Sequence, residues 1–386
     1  MVNEKDYEAL CQQFLAELIE TKTANPPGNE ILCAMKVQSI LGREGIVCRM
    51  QKLAPDRVNL YTDVINGDPD KPAVVLTGHM DVVPAAEGWN TDPYQLTEEG
   101  TRLYGRGSCD MKGGLAAMLA AAAWAQETHQ KVPFRLAFVA DEEVSGNGTI
   151  LAVESKVLDP VKYAVIGEPT LNHVHIAHRG AIRFRITLTG RSCHGSKPQL
   201  GLNPIDGAAK VTTAVQLVNE DLKKKTHEVL PAPTMCVTTI HSEIKDNIVP
   251  EVCVLTVDSR PSVGDTAESF ETLIREKVAQ LGGLPEGMKM DIEPFVNVSC
   301  GYVEKESQIV RWAEENYQKT FGESPVVEAF PACCDQVHFT DADIPAILYG
   351  PGSIDQAHTA NEYVEKDELI RAFRFYCSLL SDTEGN

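Results

Sequence analysis

The sequence predicts an α/β protein: a mixed-sheet catalytic domain with helices on both faces, interrupted by a smaller α+β domain. Short apolar runs rich in β-branched residues alternate with helical patterns at both ends of the chain, as expected of strands buried on both faces. In the middle, apolar and polar residues alternate, which is typical of half-exposed strands. The length of 386 residues exceeds the roughly 250–300 residues over which one hydrophobic core keeps growing, so two domains are expected.

The outer segments, residues 1–178 and 294–386, are predicted to form a discontinuous catalytic domain. Apolar residues recur at helical spacing within residues 7–20, and an Ala/Leu/Met pattern predicts another helix over 111–126. The predicted strands of this domain are the apolar runs at residues 73–76, 134–139, 163–166 and 344–348.

The inserted domain is predicted to span residues 179–293. Its pattern gives the order βαββαβ, which indicates a ferredoxin-like module. The predicted elements are strand 182–188, helix 203–220, strands 234–240 and 252–258, helix 266–281 and strand 288–293.

Composition and charge exclude several classes of partner. The formal net charge of −20, from 55 acidic against 35 basic residues, would repel a nucleic-acid backbone and an anionic membrane surface. The longest apolar run, residues 115–125, is shorter than the about 20 residues that a membrane span requires. The 11 cysteines show no disulfide-framework or zinc-knuckle spacing, and the first residues resemble no signal peptide. We therefore expect a cytoplasmic protein with no nucleic-acid or membrane partner.

Histidines and carboxylates follow each of the predicted strands of the catalytic domain. In open α/β sheets, ligands bind at the carboxyl ends of the strands, so we expect these side chains to meet although they are far apart in sequence. Burying several carboxylates together is costly without a compensating cation, and the pattern therefore indicates a two-metal hydrolase. The residues concerned are His79, Asp81, Glu142, Glu143, Glu168 and His358, with Asp110 joining them at the start of helix 111–126.

Imidazoles and carboxylates without thiolates suit two divalent ions per chain, of which zinc is preferred and cobalt or manganese also fit. A ligand shared by both ions must use two oxygens, and Asp110 on its Gly-rich loop is the predicted bridge. His79 and Glu168 would complete the coordination of one ion, and Glu143 and His358 would complete that of the other.

Two further acids have predicted catalytic roles. Asp81 lies two residues after His79, so its carboxylate could accept the proton of the free imidazole nitrogen. Adjacent Glu142 and Glu143 cannot easily point the same way, so Glu142 is predicted to face the substrate as the general base.

Each of these residues also has an ordinary explanation when taken singly. A lone His-x-Asp or Glu-Glu pair is more often a surface or capping feature; Asp110 could cap a helix and Glu168 could be a turn residue. The sequence assigns no function to four other histidines, which are His129, His173, His175 and His227.

Five motifs in order along nearly the whole chain resemble a known family, the dinuclear zinc metallo-aminoacylases and peptidases that contain acetylornithine deacetylase and succinyl-diaminopimelate desuccinylase. The resemblance implies the same five metal ligands, the supporting acid Asp81 and the base Glu142. The motifs are TGHMDVVP at 77–84, YGRGSCDMKGG at 104–114, ADEE at 140–143, IGEP at 166–169 and AHTANE at 357–362.

The resemblance also implies roles for the inserted domain. It would be a lid that mediates homodimerisation, and His194 would reach the partner's active site to stabilise the oxyanion. Asn247 and Arg260 resemble lid residues that hold the substrate's carboxylate, a task suited to the bidentate contacts of guanidinium. The implied reaction is hydrolysis of the amide bond of a small N-acyl amino acid or peptide.

Other functions stay open at this point. Residues 333–339, CCDQVHF, depart from both deacylase patterns and resemble certain carboxypeptidases of the family, so a dipeptidase or carboxypeptidase is the alternative. His338 stands where the desuccinylase carries an arginine, which argues against recognition of a succinyl group. A non-catalytic binding protein on this fold is a remote alternative. A nucleotide-dependent enzyme ranks last because the sequence contains no G-x-x-x-x-G-K-[ST].

Overall fold

The computed structural model describes residues 6–242 and 245–381. Packing divides the chain into two compact units, one within residues 1–177 and 302–386 and the other within 178–301. The second unit is inserted, since the chain leaves the first at residue 177 and returns at 302. The boundary predicted after residue 293 falls inside a strand, Lys289–Val298, because the sequence pattern did not show how far that strand continues.

Within the described residues the chain forms helices α1 to α9 and strands β1 to β18. No helix there is long and apolar enough to cross a membrane. The helices are α1 (Tyr7–Ile19), α2 (Glu30–Arg43), α3 (Lys112–Glu127), α4 (Asn147–Glu154), α5 (Pro204–Leu222), α6 (Ala267–Gln280), α7 (Gln308–Phe321), α8 (Gln336–Thr340) and α9 (Lys366–Leu380). The strands are β1 (Cys48–Ala54), β2 (Arg57–Thr62), β3 (Ala73–His79), β4 (Thr97–Glu99), β5 (Arg102–Tyr104), β6 (Phe134–Val139), β7 (Val161–Ile166), β8 (Val174–His178), β9 (Ala181–Thr189), β10 (Cys193–His194), β11 (Thr234–His241), β12 (Ile248–Val249), β13 (Val252–Arg260), β14 (Lys289–Val298), β15 (Gly301–Tyr302), β16 (Val327–Phe330), β17 (Ala346–Leu348) and β18 (Tyr363–Glu365).

The first unit is built on a mixed sheet, which confirms the predicted α/β class. Among the described residues this sheet has nine strands in the order β1-β2-β6-β3-β7-β17-β8-β15, with β16 beside β8. β3 pairs in parallel with β6 and β7, and β17 with β7. The pairs β1–β2, β2–β6 and β17–β8 are antiparallel. Every residue of β3 and β6 is buried, as expected of strands covered on both faces.

Helices cover opposite faces of β3. A Cβ on Gly78 would collide with Leu115 of α3, whereas Val75 packs in a cluster with Ala152 of α4 and Phe339 of α8. Because successive side chains of a strand point to opposite faces, an odd and an even position of β3 meet different helices. The sheet is therefore enclosed between helical layers.

Helix α3 lies unusually close to the chain that follows β7. It is Ala-rich and almost wholly buried, and a Cβ on Gly114 would lie 2.2 Å from the carbonyl oxygen of Gly167. Only glycine permits that backbone approach. The contact fixes the position of the chain immediately before Glu168.

The parallel strands end level with one another. In the observed register His79 pairs with Val139, and Thr77 pairs with Ile166. The segments that follow β3, β6 and β7 therefore leave the sheet at one edge, where functional groups collect in open α/β sheets.

The second unit has its own sheet and core. Its principal elements follow the order β9-α5-β11-β13-α6-β14, and its antiparallel sheet has the strand order β11-β13-β9-β14. Alternate residues of β9 are buried, as the sequence pattern predicted, and they pack with the apolar sides of α5 and α6. A short pair, β10 and β12, lies apart from this sheet.

Candidate metal centre

Two groups of side chains at the edge of the large sheet have the composition of metal sites. One contains His79, Asp110 and Glu168, and the other contains Asp110, Glu143 and His358. In each group one ligand atom per residue lies within 4.8 Å of the others. The structure thus brings together the five residues that the sequence proposed as ligands, in the grouping proposed, with Asp110 common to both.

Asp110 directs its two oxygens toward different histidines. Its Oδ1 lies 3.0 Å from Nε2 of His79, and its Oδ2 lies 3.5 Å from Nε2 of His358. Nε2 of His358 is also 3.0 Å from Oε2 of Glu143. A carboxylate that presents one oxygen to each group has the geometry needed to bridge two cations.

The carboxylates of this centre are buried close to one another. Burial raises the pKa of Glu168 well above its usual range, and the charge of Asp110 raises it further. Burial and the charge of Asp110 also raise the pKa of Glu143, and its buried Oε1 has no hydrogen-bond partner among the residues that the structure describes. The surrounding protein groups therefore do not fully offset the cost of burying these carboxylates in ionised form.

The neighbouring carboxylates raise the pKa of both histidines and so favour their positively charged forms. Burial alone would lower the pKa of His79, but its hydrogen bond with Asp110 and nearby carboxylate charges raise it well above the usual value. Hydrogen bonds with Asp110 and Glu143 raise the pKa of His358 to about 10. Burial opposes ionisation of Asp110, yet its hydrogen bonds with both histidines hold its pKa below the usual range.

These residues fit a pair of divalent cations. Metal ligation requires neutral imidazole and ionised carboxylate, so a bound cation would compete with protons for these groups. It would also supply a partner for the orphaned Glu143 oxygen. Two histidines with three carboxylates match zinc, cobalt or manganese rather than softer metals.

The structure corrects the predicted contact of Asp81. The backbone carbonyl of Asp81 lies 2.8 Å from Nδ1 of His79, whereas the nearest carboxylate oxygen is 3.8 Å away. The carboxylate instead accepts hydrogen bonds from the amides of Glu142 and Glu143, both at 3.3 Å, and from Nδ2 of Asn25 at 2.8 Å. The path of the backbone after β3 directs the carbonyl of Asp81, and not its carboxylate, toward His79. The spacing of the two residues in the sequence does not show this direction.

The turn held by Asp81 separates the two adjacent glutamates. Glu143 reaches His358, whereas Oε2 of Glu142 lies 4.0 Å from Nε2 of His79. Glu142 belongs to neither ligand group, and its side chain is 15% exposed. Burial raises its pKa well above the usual range although the charge of His79 opposes this. Such a carboxyl group beside a metal pair can exchange protons with substrate or water.

Glu362 holds the loop that carries Asp110. Its carboxylate accepts hydrogen bonds from the amides of Gly107 at 3.1 Å, Cys109 at 2.9 Å and Asp110 at 3.0 Å. It also pairs with the buried guanidinium of Arg106. Glu362 lies within the motif at 357–362, but the sequence alone indicated no role for it, because its partners lie 252–256 positions away.

Asp335 is a second acid that the sequence analysis missed. It is buried, and its Oδ2 accepts a hydrogen bond from Oγ1 of Thr149 at 2.6 Å. Burial raises its own pKa, and its charge helps to raise those of Glu142 and Glu168. His338, singled out from the sequence, has its Nε2 3.8 Å from Oδ1 of Asp335. Strand β16 ends at Phe330, five residues before Asp335, but the sequence pattern predicted no strand there and so did not indicate a strand-end acid.

The remaining proposed site residues belong to the second unit. His194 lies in β10 with its Nδ1 2.8 Å from Oγ of Ser196, and the adjacent Gly195 amide donates to the carbonyl of Asn247 at 2.8 Å. Arg260 ends β13, and its Nε donates to Oδ1 of Asp258 at 2.9 Å. The structure thus brings His194 near Asn247 within this unit.

An α/β fold with two histidine–carboxylate groups that share one aspartate defines the class of metal-dependent hydrolases. The model of Peptidase family M20/M25/M40 matches residues 75–382. The chain therefore belongs to this family, and it is a metallohydrolase that acts on amide bonds.

Similar proteins cover almost the whole chain. The chain is 30% identical to the acetylornithine deacetylase of Vibrio atlanticus (strain LGP32), over 87% of this chain and 92% of that one. It is 27% identical to the probable succinyl-diaminopimelate desuccinylase of Staphylococcus aureus (strain N315), over 93% and 94% of the two chains. The crystal structure of aminopeptidase PepT from Bacillus cereus ATCC 10987 has a TM-score of 0.78 at 15% identity, covering 97% of this chain and 98% of that one. This last likeness shows the shared fold.

Glu362→Gln should destabilise the first unit. The substitution leaves the guanidinium of Arg106, which is 1% exposed, without a balancing charge, and breaking such a buried pair costs about 3–5 kcal/mol. We expect the free energy of unfolding in urea to fall by that amount. The control Glu365→Gln removes the partner of Arg102, which is 45% exposed, and should change it little. Equal effects of the two variants would contradict a special role for Glu362.

Proposed function

We propose that this protein removes the acyl group from an N-acylated amino acid, in the manner of acetylornithine deacetylase or succinyl-diaminopimelate desuccinylase. The observation that carries the proposal is that Asp110 belongs to both ligand groups and directs one oxygen toward each. Glu142 lies beside them and belongs to neither group. The similarity to the two named relatives supports this class of substrate.

The centre would hold two divalent ions, with zinc preferred over cobalt or manganese. His79, Asp110 and Glu168 would bind one ion, and Asp110, Glu143 and His358 the other. When bound, such ions polarise the scissile carbonyl and lower the pKa of water at the site. The burial of His79, Asp110 and Glu168 keeps this part of the centre away from bulk water.

The proton transfers would fall to Glu142. It would accept a proton from the attacking water and deliver it to the departing amine, which is general base and then general acid catalysis. Asp81 would position this group, because its carboxylate fixes the backbone of the turn through the Glu142 and Glu143 amides. Its carbonyl would keep the proton of His79 on Nδ1 and leave Nε2 for a metal.

The second unit would act as a ferredoxin-like lid and mediate a homodimer. Its βαββαβ element order and its strand order β11-β13-β9-β14 support the ferredoxin-like assignment. We propose that His194 stabilises the oxyanion across the dimer and that Asn247 and Arg260 hold the substrate's carboxylate. The cytoplasmic location stays a prediction.

A dipeptidase or carboxypeptidase activity is the second candidate. The observation that favours it is the segment at 333–339, where His338 stands in place of the desuccinylase arginine and its Nε2 lies 3.8 Å from Oδ1 of Asp335. An acid–imidazole pair offers a succinyl carboxylate less positive charge than a guanidinium does.

A substrate panel separates these candidates. We expect the zinc- or cobalt-loaded protein to hydrolyse N-acetylornithine, N-succinyl-diaminopimelate or another N-acyl amino acid faster, by kcat/KM, than dipeptides. Chelation should abolish the activity and added metal should restore it. Faster hydrolysis of dipeptides would overturn the deacylase proposal in favour of the peptidase. Hydrolysis of none of these would contradict both.

Glu142→Gln should keep both metals and lose turnover. Positioned proton transfer contributes about 10²–10⁴-fold to rate, so kcat should fall by that factor while metal analysis still finds two ions per chain. The neighbouring Glu143→Gln is the matched control, since loss of a proposed ligand should lower the metal content as well as the activity. Wild-type kcat in Glu142→Gln would show that another group is the base.

Arg260→Ala should mainly weaken substrate binding. Hydrogen bonds to charged groups contribute about 1.5–3 kcal/mol, so we expect KM to rise about 10- to 100-fold with a smaller change in kcat. Arg183→Ala is the control, because Arg183 donates to the other oxygen of Asp258 at 2.9 Å. If both variants change KM equally, Arg260 acts through Asp258 rather than on the substrate.

A further inference from the structure

A third group of potential ligands lies outside the metal centre. It consists of His173, His175 and Glu328, and it shares no residue with the two groups that contain Asp110. His173 immediately precedes β8, His175 is in β8, and Glu328 is in β16, which pairs with β8. Residues two apart in extended chain face the same side, so both imidazoles meet the carboxylate of the neighbouring strand.

One carboxylate oxygen of Glu328 lies between a nitrogen of His173 and a nitrogen of His175. Oε1 of Glu328 lies 2.7 Å from Nδ1 of His173 and 3.2 Å from Nε2 of His175. One ligand atom from each residue lies within 4.8 Å of the others. Three ligand atoms this close together are within reach of one shared cation.

The surroundings of two of the groups favour metal binding. Burial lowers the pKa of His175 to about 4, which favours the neutral imidazole that a metal binds. Burial alone would raise the pKa of Glu328, but its hydrogen bond with His173 and the nearby imidazole charges lower it. Nδ1 of His175 has no hydrogen-bond partner in the described parts of the chain. The Glu328 carboxylate accepts a hydrogen bond from Nε2, so a cation that binds Nε2 must displace this proton, and the unpartnered Nδ1 can carry it instead.

The group is open on one side. The side chain of His175 is 6% exposed, whereas those of His173 and Glu328 are 33% and 47% exposed. Solvent can therefore deliver a cation and complete its coordination with water. Two imidazoles and one carboxylate with an open fourth position match a tetrahedral ion of zinc type.

We propose that His173, His175 and Glu328 form a third divalent-cation site, of zinc type, separate from the metal pair. A cation held there joins β16 to β8 through side chains as well as backbone. The site lies on the first unit alone and needs neither the second unit nor a substrate.

The test compares zinc content between matched variants of the full chain. We expect wild-type protein, equilibrated by dialysis against buffered zinc, to hold one zinc per chain more than the double variant H173Q/E328Q. Both substituted side chains are partly exposed, so the variant should fold, and an unchanged circular-dichroism spectrum would verify this. The control His241→Gln removes an exposed histidine of β11 that belongs to none of the three groups, and it should keep the wild-type zinc content.

Equal zinc content in wild type and H173Q/E328Q would overturn the proposal. So would an equal loss of zinc in His241→Gln, which would indicate unspecific binding to surface imidazoles. The single variant Glu328→Gln gives a second readout: zinc should raise the melting temperature of the wild type by more than it raises that of the variant, and equal shifts would count against the site. These comparisons do not depend on turnover, so failure of the proposed deacylase activity would leave the third site intact.

Discussion

The hydrogen bonds of the Glu362 carboxylate determine the position of the shared aspartate. Hydrogen bonds from three amides of the loop before α3, together with the buried ion pair to Arg106, fix the loop on which Asp110 stands. Glu362 is four residues after His358, so one C-terminal segment supplies a candidate ligand and orients another. The metal centre therefore exists only when both ends of the first unit have come together.

The burial of like charges is the second constraint on this centre. Burial raises the pKa of Glu168 and of Glu143. The pKa values of His79 and His358 are also raised, which favours protonated imidazoles that offset the negative charge of the carboxylates. Because a cation competes with those protons, metal affinity and the stability of the first unit should be linked. The close approach of Gly114 to the Gly167 carbonyl leaves Glu168 little freedom to relax away from the other acids.

The two candidate sites lie at different places on the sheet. The metal centre collects groups from the level carboxyl ends of parallel strands, where burial is deep and a general base can stand beside the ligands. The group of His173, His175 and Glu328 lies instead across neighbouring strands, on a face that solvent reaches. The first arrangement favours catalysis, and the second favours a cation that joins strands.

The sequence by itself determined the mixed α/β class, the family and the strand ends that carry the candidate ligands, because alternation and burial are local patterns and parallel strands end at one edge. It did not show the hairpin of β1 and β2 or the extent of β14. Only the tertiary structure decided the roles of Glu362 and Asp335, the carbonyl rather than carboxylate contact of Asp81, and the meeting of His173 with Glu328. These depend on backbone direction or on partners up to 256 positions apart, and residue spacing carries no record of either.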